Sequence, residues 1–223
     1  MREFHEAQYN IFNENDRQYG ECRMGTMASY TWNNDPKRLV FVLSRYKAVS
    51  SILAGEDHVL EVGCGDSFGS RIVCQTVNKL TVTDIDAEMI KEAKKQSRKP
   101  YEYNCIKHNF LEGELTVNDR FTGAYLLDVL EHINRKDQDR FLANISKSTE
   151  DGSKIVIGMP SLESQQYASE ISKRGHINCQ NKKELEISLK NSFRSVTVFS
   201  MNDEVLHTGY DKMSHYLLAL CVK

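Results

Sequence analysis

The chain has 223 residues, 40% hydrophobic and 27% charged, which suits one α/β domain with a proper core and excludes a disordered chain. Its formal charge of -2, with both signs interspersed, provides no broad positive field for phosphates, so no nucleic-acid partner is expected. No apolar stretch is long enough to span a bilayer, and six cysteines without a C-x-x-C pair fit free thiols, so we expect a cytoplasmic protein without a membrane partner.

Residues 1–35 mix aromatic and polar side chains without a regular apolar period. This is the composition of a cap over a binding site, the alternative being an arm on the sheet edge. Asp35 as N-cap and Pro36 at the first helical position then announce a helix that ends before Gly55. Beyond it, strands and helices alternate: HVLEV and a helix from about Ser67, LTVTD and AEMIKEAKKQS, YNCIKH, AYLLDVL and DQDRFLANISK, KIVIGM and KKELEISLKN, then SVTVFSM and HYLLALCVK. The pattern predicts a single α/β domain over 1–223. Its sheet is doubly wound, mostly parallel and seven-stranded, with an antiparallel C-terminal hairpin. The basic run of Lys91, Lys94, Lys95, Arg98 and Lys99 reads as the solvated face of a crossover helix.

In such a sheet, ligands bind beyond the carboxyl ends of the strands. The strongest local signal lies there: Val59-Leu60-Glu61-Val62-Gly63-Cys64-Gly65-Asp66-Ser67-Phe68-Gly69, a buried strand entering a glycine turn. Alone it specifies a tight turn or a nucleotide-like ligand. A dinucleotide fingerprint would place its third glycine at Phe68, so that register fails. Glu61 and Asp66 put negative charge beside the turn, which repels a pyrophosphate and suits a ligand carrying an ammonium and a sulfonium. Asp84, at the end of the next strand, is placed to accept hydrogen bonds from ribose hydroxyls, while Asp86 caps the following helix.

The ordered series VLEVGCGDSFGS, VTDIDAEMIKEAKK, FTGAYLLDVLEHI and KIVIGMPS resembles the class I S-adenosylmethionine-dependent methyltransferases, closely over about residues 57 to 161. DVLEHI is similar to the branch holding ubiquinone-type and sugar O-methyltransferases. The resemblance implies S-adenosylmethionine as cofactor and S-adenosylhomocysteine as product. It assigns the methionine part to Glu61, Gly63, Cys64 and Gly65, the ribose to Asp84 with Ile85 beside it, the adenine to Asn109 and Phe110, and a position facing cofactor or acceptor to Asp128.

Methyl transfer from a sulfonium is an in-line displacement that needs alignment and, for a hydroxyl acceptor, removal of a proton. It requires no metal. Of the seven histidines we rank His176 first as proton acceptor, then His207, then His132. Tyr19, Trp32, Asn202 and Tyr210 are the candidate acceptor contacts. SLESQQYASEISKRGHIN and MNDEVLHTGYDKMSHYLLAL look like bacterial methyltransferases of surface polysaccharide or capsule pathways. They imply a small acceptor, a sugar or a sugar-linked group such as phosphoramidate. The other readings are a quinone-like or other small-metabolite O- or N-methyltransferase and a non-catalytic S-adenosylmethionine-binding module.

Overall fold

A computed structural model describes residues 4–223, so three residues of the expected N-terminal arm, 1–3, lie outside the described residues. Alternating hydrophobic residues build the centre of the sheet. In strand β1 (His58–Val62), Val59 packs into one core and Leu60 and Val62 into the other, so both faces of the strand are buried, as a central parallel strand requires. β2 (Lys79–Asp84), β3 (Asn104–Lys107), β4 (Phe121–Leu127) and β5 (Thr149–Pro160) continue the parallel part. β6 (Ser195–Asn202), β7 (Val205–His207) and β8 (Tyr216–Val222) complete one eight-stranded sheet in the order β3-β2-β1-β4-β5-β8-β6-β7.

The strand count differs from the expected seven because Asp203, at φ 50°, turns the chain after β6 and lets three residues pair back as β7. The antiparallel strands lie at one end of the sheet as expected, with the last strand, β8, between β5 and β6.

The helices α1 (Ile11–Tyr19), α2 (Thr26–Asn34), α3 (Pro36–Ile52), α4 (Ser70–Cys74) and α5 (Ala87–Gln96) precede β3. Those that follow are α6 (Gln138–Ser148), α7 (Glu170–Gly175) and α8 (Lys182–Lys190). Val49 of α3 and Leu53 just after it, Val73 of α4 and Ile90 and Ala93 of α5 cover one sheet face. Phe141, Leu142 and Ile145 of α6 and Leu185 and Leu189 of α8 cover the other. Asp35 accepts from the Arg38 amide with Pro36 behind it, and Asp86 accepts from the Glu88 amide, so both sequence-predicted caps form.

Residues 19–34 depart from the expected irregular arm, since most of them are helical. Gly25 supplies no side-chain cap for α2. Instead Asp66, 38 residues away, accepts from the Ala28 amide at 2.8 Å and closes the helix from outside. Arg98 donates to the Glu21 carbonyl and Gln96 to the Arg23 carbonyl, which ties the segment from the end of α5 up to the glycine turn. No helix among the described residues is long and apolar enough to cross a membrane.

Candidate active site

Strand order reverses between β1 and β4, and the carboxyl ends of these strands carry the site. At the end of β1 the chain turns through Gly63 at φ 73° and Gly65 at φ 53°. A Cβ on Gly63 would stand 2.4 Å from Val129 Cγ2, so position 63 excludes any side chain. The Gly63 and Cys64 amides donate to the Thr83 carbonyl, and the Gly65 amide donates to Asp84 Oδ2 at 3.0 Å. Asp84 Oδ1 accepts from the Asp86 amide at 2.9 Å. One carboxylate thus ties the end of β2 to the turn while each oxygen keeps a further lone pair for a ligand.

Behind the turn lies a buried polar group. Tyr46 of α3 donates to Glu61 Oε1 at 3.1 Å, whereas Glu61 Oε2 and the Tyr125 hydroxyl have no hydrogen-bond partner. Burial pushes the Glu61 carboxyl up from 4.5 to about 7. A carboxyl raised in this way favours the folded state when protonated. That contribution is complete below 4.5 and is lost as pH rises through about 7. Relative to Glu61→Gln, the wild-type chain is therefore expected to lose thermal stability between pH 5 and pH 8.5. Parallel melting curves for the two proteins across that range would refute the assignment.

Asp128 follows β4 in a left-handed conformation, φ 57°, and both of its oxygens accept from Arg45 Nη1, at 2.9 and 2.7 Å. The Arg45 guanidinium lies 3.8 Å from the centroid of the Tyr216 ring, so α3 and β8 jointly fix this carboxylate. Ile85 is exposed at the end of β2, and Cys64 is buried in the turn. Asn109 donates to Glu112 and accepts from the Leu111 amide. The Phe110 ring is 2% exposed and packs edge-on against Phe141 and His108, so a ligand could meet residue 110 only through its backbone.

The chain stitches residues 175–178 onto the turn after β4. The Ile177 and Asn178 amides both donate to the Glu131 carbonyl, and His132 Nδ1 donates to the Gly175 carbonyl at 2.9 Å. A Cβ on Gly175 would lie 3.1 Å from His132 Cε1, so glycine there admits the ring. The result is that His132 and His176 stand edge to face with ring centroids 5.3 Å apart. His176 Nδ1 donates to Gln165 Oε1 at 2.8 Å. Burial, and then His132, hold the His176 imidazole below its ordinary value. Glu131, beside them, is fully buried, and burial and then Asp128 push its carboxyl well above the ordinary range.

His207 stands apart from this pair, on β7. Its Nδ1 accepts from the Gly209 amide and its Nε2 donates to Asn202 Oδ1, so both ring nitrogens are engaged. Asn202 also donates to the Met213 carbonyl, and the turn at 211–213 packs beside the turn at 163–167 that carries Gln165. Trp32 on α2 and Tyr210 are exposed. Tyr19 closes α1, with its carbonyl accepting from Arg98. Sequence reasoning missed Arg45, Tyr46 and Gln165, whose partners lie far away along the chain. It saw Glu131 only as a letter of a motif.

Residues 60–157 match the profile of a family described as methyltransferase domain. Among solved structures, the chain is similar to the methyltransferase domain of bacterial-CtHen1-C (TM-score 0.65, 14% identity, covering 82% of this chain and 98% of that one). It is also similar to the N-methyltransferase NodS from Bradyrhizobium japonicum WM9 in complex with S-adenosyl-L-homocysteine (TM-score 0.62, 15% identity, 96% and 98% covered). A third is the DhpI-SAM-HEP complex (TM-score 0.63, 16% identity, 97% and 96% covered). A search of curated protein sequences finds no match. The match over residues 60–157 is to a methyltransferase domain, and the chain shares the fold of these solved methyltransferases. Two of these structures hold S-adenosylhomocysteine or S-adenosylmethionine, and the lone pairs left on Asp84 and the unpartnered Glu61 oxygen beside the turn would fit such a ligand here.

Proposed function

We propose that the chain transfers a methyl group from S-adenosylmethionine to a hydroxyl oxygen of a small polar acceptor, a sugar or a sugar-linked group such as phosphoramidate, in bacterial surface polysaccharide biosynthesis. The observation that carries this reading is the His132–His176 pair beside Asp128. Both Nδ1 atoms are committed to oxygen acceptors, which leaves each Nε2 with a lone pair for a hydroxyl. The bound cofactor supplies an electrophilic methyl on a sulfonium.

We assign Gly63, Cys64 and Gly65, with Glu61 behind them, to its methionine part. Asp84 takes the ribose diol, and Ile85, Asn109 and the residue 110 backbone take the adenine. Asp128, held by Arg45, faces the boundary between cofactor and acceptor. His176 engages the acceptor hydroxyl first, with His132 beside it, while Tyr19, Trp32, Asn202 and Tyr210 are assigned to the acceptor's outer parts. Residues 1–35 act as the cap, anchored through Asp66. The net charge of -2 favours a small acceptor over nucleic acid, and six free cysteines favour the cytoplasm.

The test is incubation with methyl-labelled cofactor and fractionated bacterial metabolites, followed by mass spectrometry of the labelled product. Label on a sugar oxygen is the expected result. Label on nitrogen, or on a quinone-like oxygen, would overturn the acceptor class, and no transfer to any fraction would favour a non-catalytic cofactor-binding module.

A further inference from the structure

Glu131, His132 and His176 offer more than an acceptor hydroxyl needs. We propose that they bind one first-row divalent transition ion, such as Mn²⁺ or Co²⁺, through the Glu131 carboxylate and the Nε2 atoms of both histidines. The three residues each present a ligating atom, all within 4.8 Å of one another. An ion with bonds of about 2.0–2.2 Å sets neighbouring ligands roughly 3.0–3.4 Å apart, a contraction that small side-chain rotations supply.

Independent observations point to a cation here. Glu131 is fully buried and neither of its carboxylate oxygens has a hydrogen-bond partner, a state that buried polar groups rarely keep without a ligand. Both imidazoles are braced from behind, His132 by the Gly175 carbonyl and His176 by Gln165 Oε1. That brace fixes the Nδ1–H tautomer and aims Nε2 away from it, as outer partners do for metal-bound histidines. Two imidazoles and one carboxylate suit a transition ion with open positions, whereas Mg²⁺ and Ca²⁺ prefer all-oxygen sets. Asp128 stands outside this group of three and is paired with Arg45 through both of its oxygens, so it brings little net charge to the site.

The role of the ion rests on the methyl-transfer reading above. Such an ion would take both Nε2 lone pairs, so the acceptor hydroxyl would meet an open position on the ion rather than His176 directly. As Lewis acid the ion would promote its ionisation, the proton leaving to water, while the oxygen gains the methyl as the sulfonium S–C bond breaks and S-adenosylhomocysteine leaves. No electron is transferred to or from the ion.

The experiment uses the full chain, treated with chelator, dialysed and titrated with MnCl₂ while free Mn²⁺ is followed by electron paramagnetic resonance. Manganese is chosen because six thiols compete for Zn²⁺. One bound ion per chain is expected. Glu131→Gln and His176→Ala should each weaken binding by at least about 100-fold, and Gln165→Ala, which removes only the brace, by about 10–100-fold. Binding of S-adenosylhomocysteine, measured on every variant, shows which of them fold. Absence of ion uptake by wild-type protein that binds S-adenosylhomocysteine would overturn the proposal. Uptake that is unchanged in folded Glu131→Gln, His176→Ala and Gln165→Ala would do the same. The titration contains no acceptor, so Mn²⁺ uptake tests the ion site alone; failure of the labelled-cofactor incubation to place label on any hydroxyl would sink the acceptor reading and leave the ion site standing.

Discussion

His176→Ala is expected to lower methyl transfer by about 10²–10⁴-fold, the range for a side chain positioned on the reacting proton, while leaving cofactor affinity nearly intact. The separation follows from position. His176 sits on the segment stitched to Glu131, and its ring meets His132 and Gln165, whereas the glycine turn is held by Thr83 and Asp84. Single-turnover rates with saturating cofactor, alongside calorimetry with S-adenosylhomocysteine, read the two quantities separately. His207→Ala should be milder, because both nitrogens of that ring are already engaged by Gly209 and Asn202. A larger loss at His207 than at His176 would move the acceptor site to the β6–β7 edge. Near-normal turnover in His176→Ala would leave catalysis to alignment of the two substrates alone.

What the sequence made legible was what neighbouring residues decide. Asp35 with Pro36 and Asp86 before Ala87 cap helices through amides two or three positions on, and those signals are local. The alternation in His58–Val62 shows a strand buried on both faces, and the glycine turn follows it directly. The features that escaped are set by partners far away. α2 lacks a cap of its own and takes one from Asp66, so its aromatic and polar sequence reads as irregular. β7 depends on one residue, Asp203, adopting a left-handed conformation that aspartate tolerates but does not announce.

The candidate site divides along the same line. Gly63, Gly65 and Asp84 were legible because a strand end and a turn place them wherever this fold forms. His132 and His176 were legible one at a time, as histidines near strand ends. Their meeting depends on two backbone amides at 177 and 178 reaching the Glu131 carbonyl, a contact between a turn and a loop with no local signature. Phe110 misled for the opposite reason. A phenylalanine after a polar residue at a strand end matches an adenine contact, yet two aromatic neighbours draw the ring into the core.

Asp84→Ala is expected to weaken S-adenosylmethionine binding by about 1.5–3 kcal/mol, the range for hydrogen bonds to a charged group. In the structure this carboxylate accepts from the Gly65 and Asp86 amides, so it orients the glycine turn as well as offering lone pairs to the ribose. The two contributions separate with Asp84→Asn. An amide oxygen keeps one acceptor toward the Gly65 amide but carries no charge, so the turn survives while the ribose bonds weaken. Affinity for S-adenosylhomocysteine should therefore fall in the order wild type, Asn, Ala, and adenine alone should distinguish the three proteins little. In the absence of ligand Asn should melt below wild type, because its NH2 replaces the oxygen that accepts from the Asp86 amide, and Ala lower still, because the Gly65 and Asp86 amides both lose their acceptor. Equal ligand affinity for folded wild type and Ala would remove Asp84 from the ribose. Equal affinity for wild type and Asn, with a large loss only in Ala, would show that the residue serves the cofactor through the turn it supports.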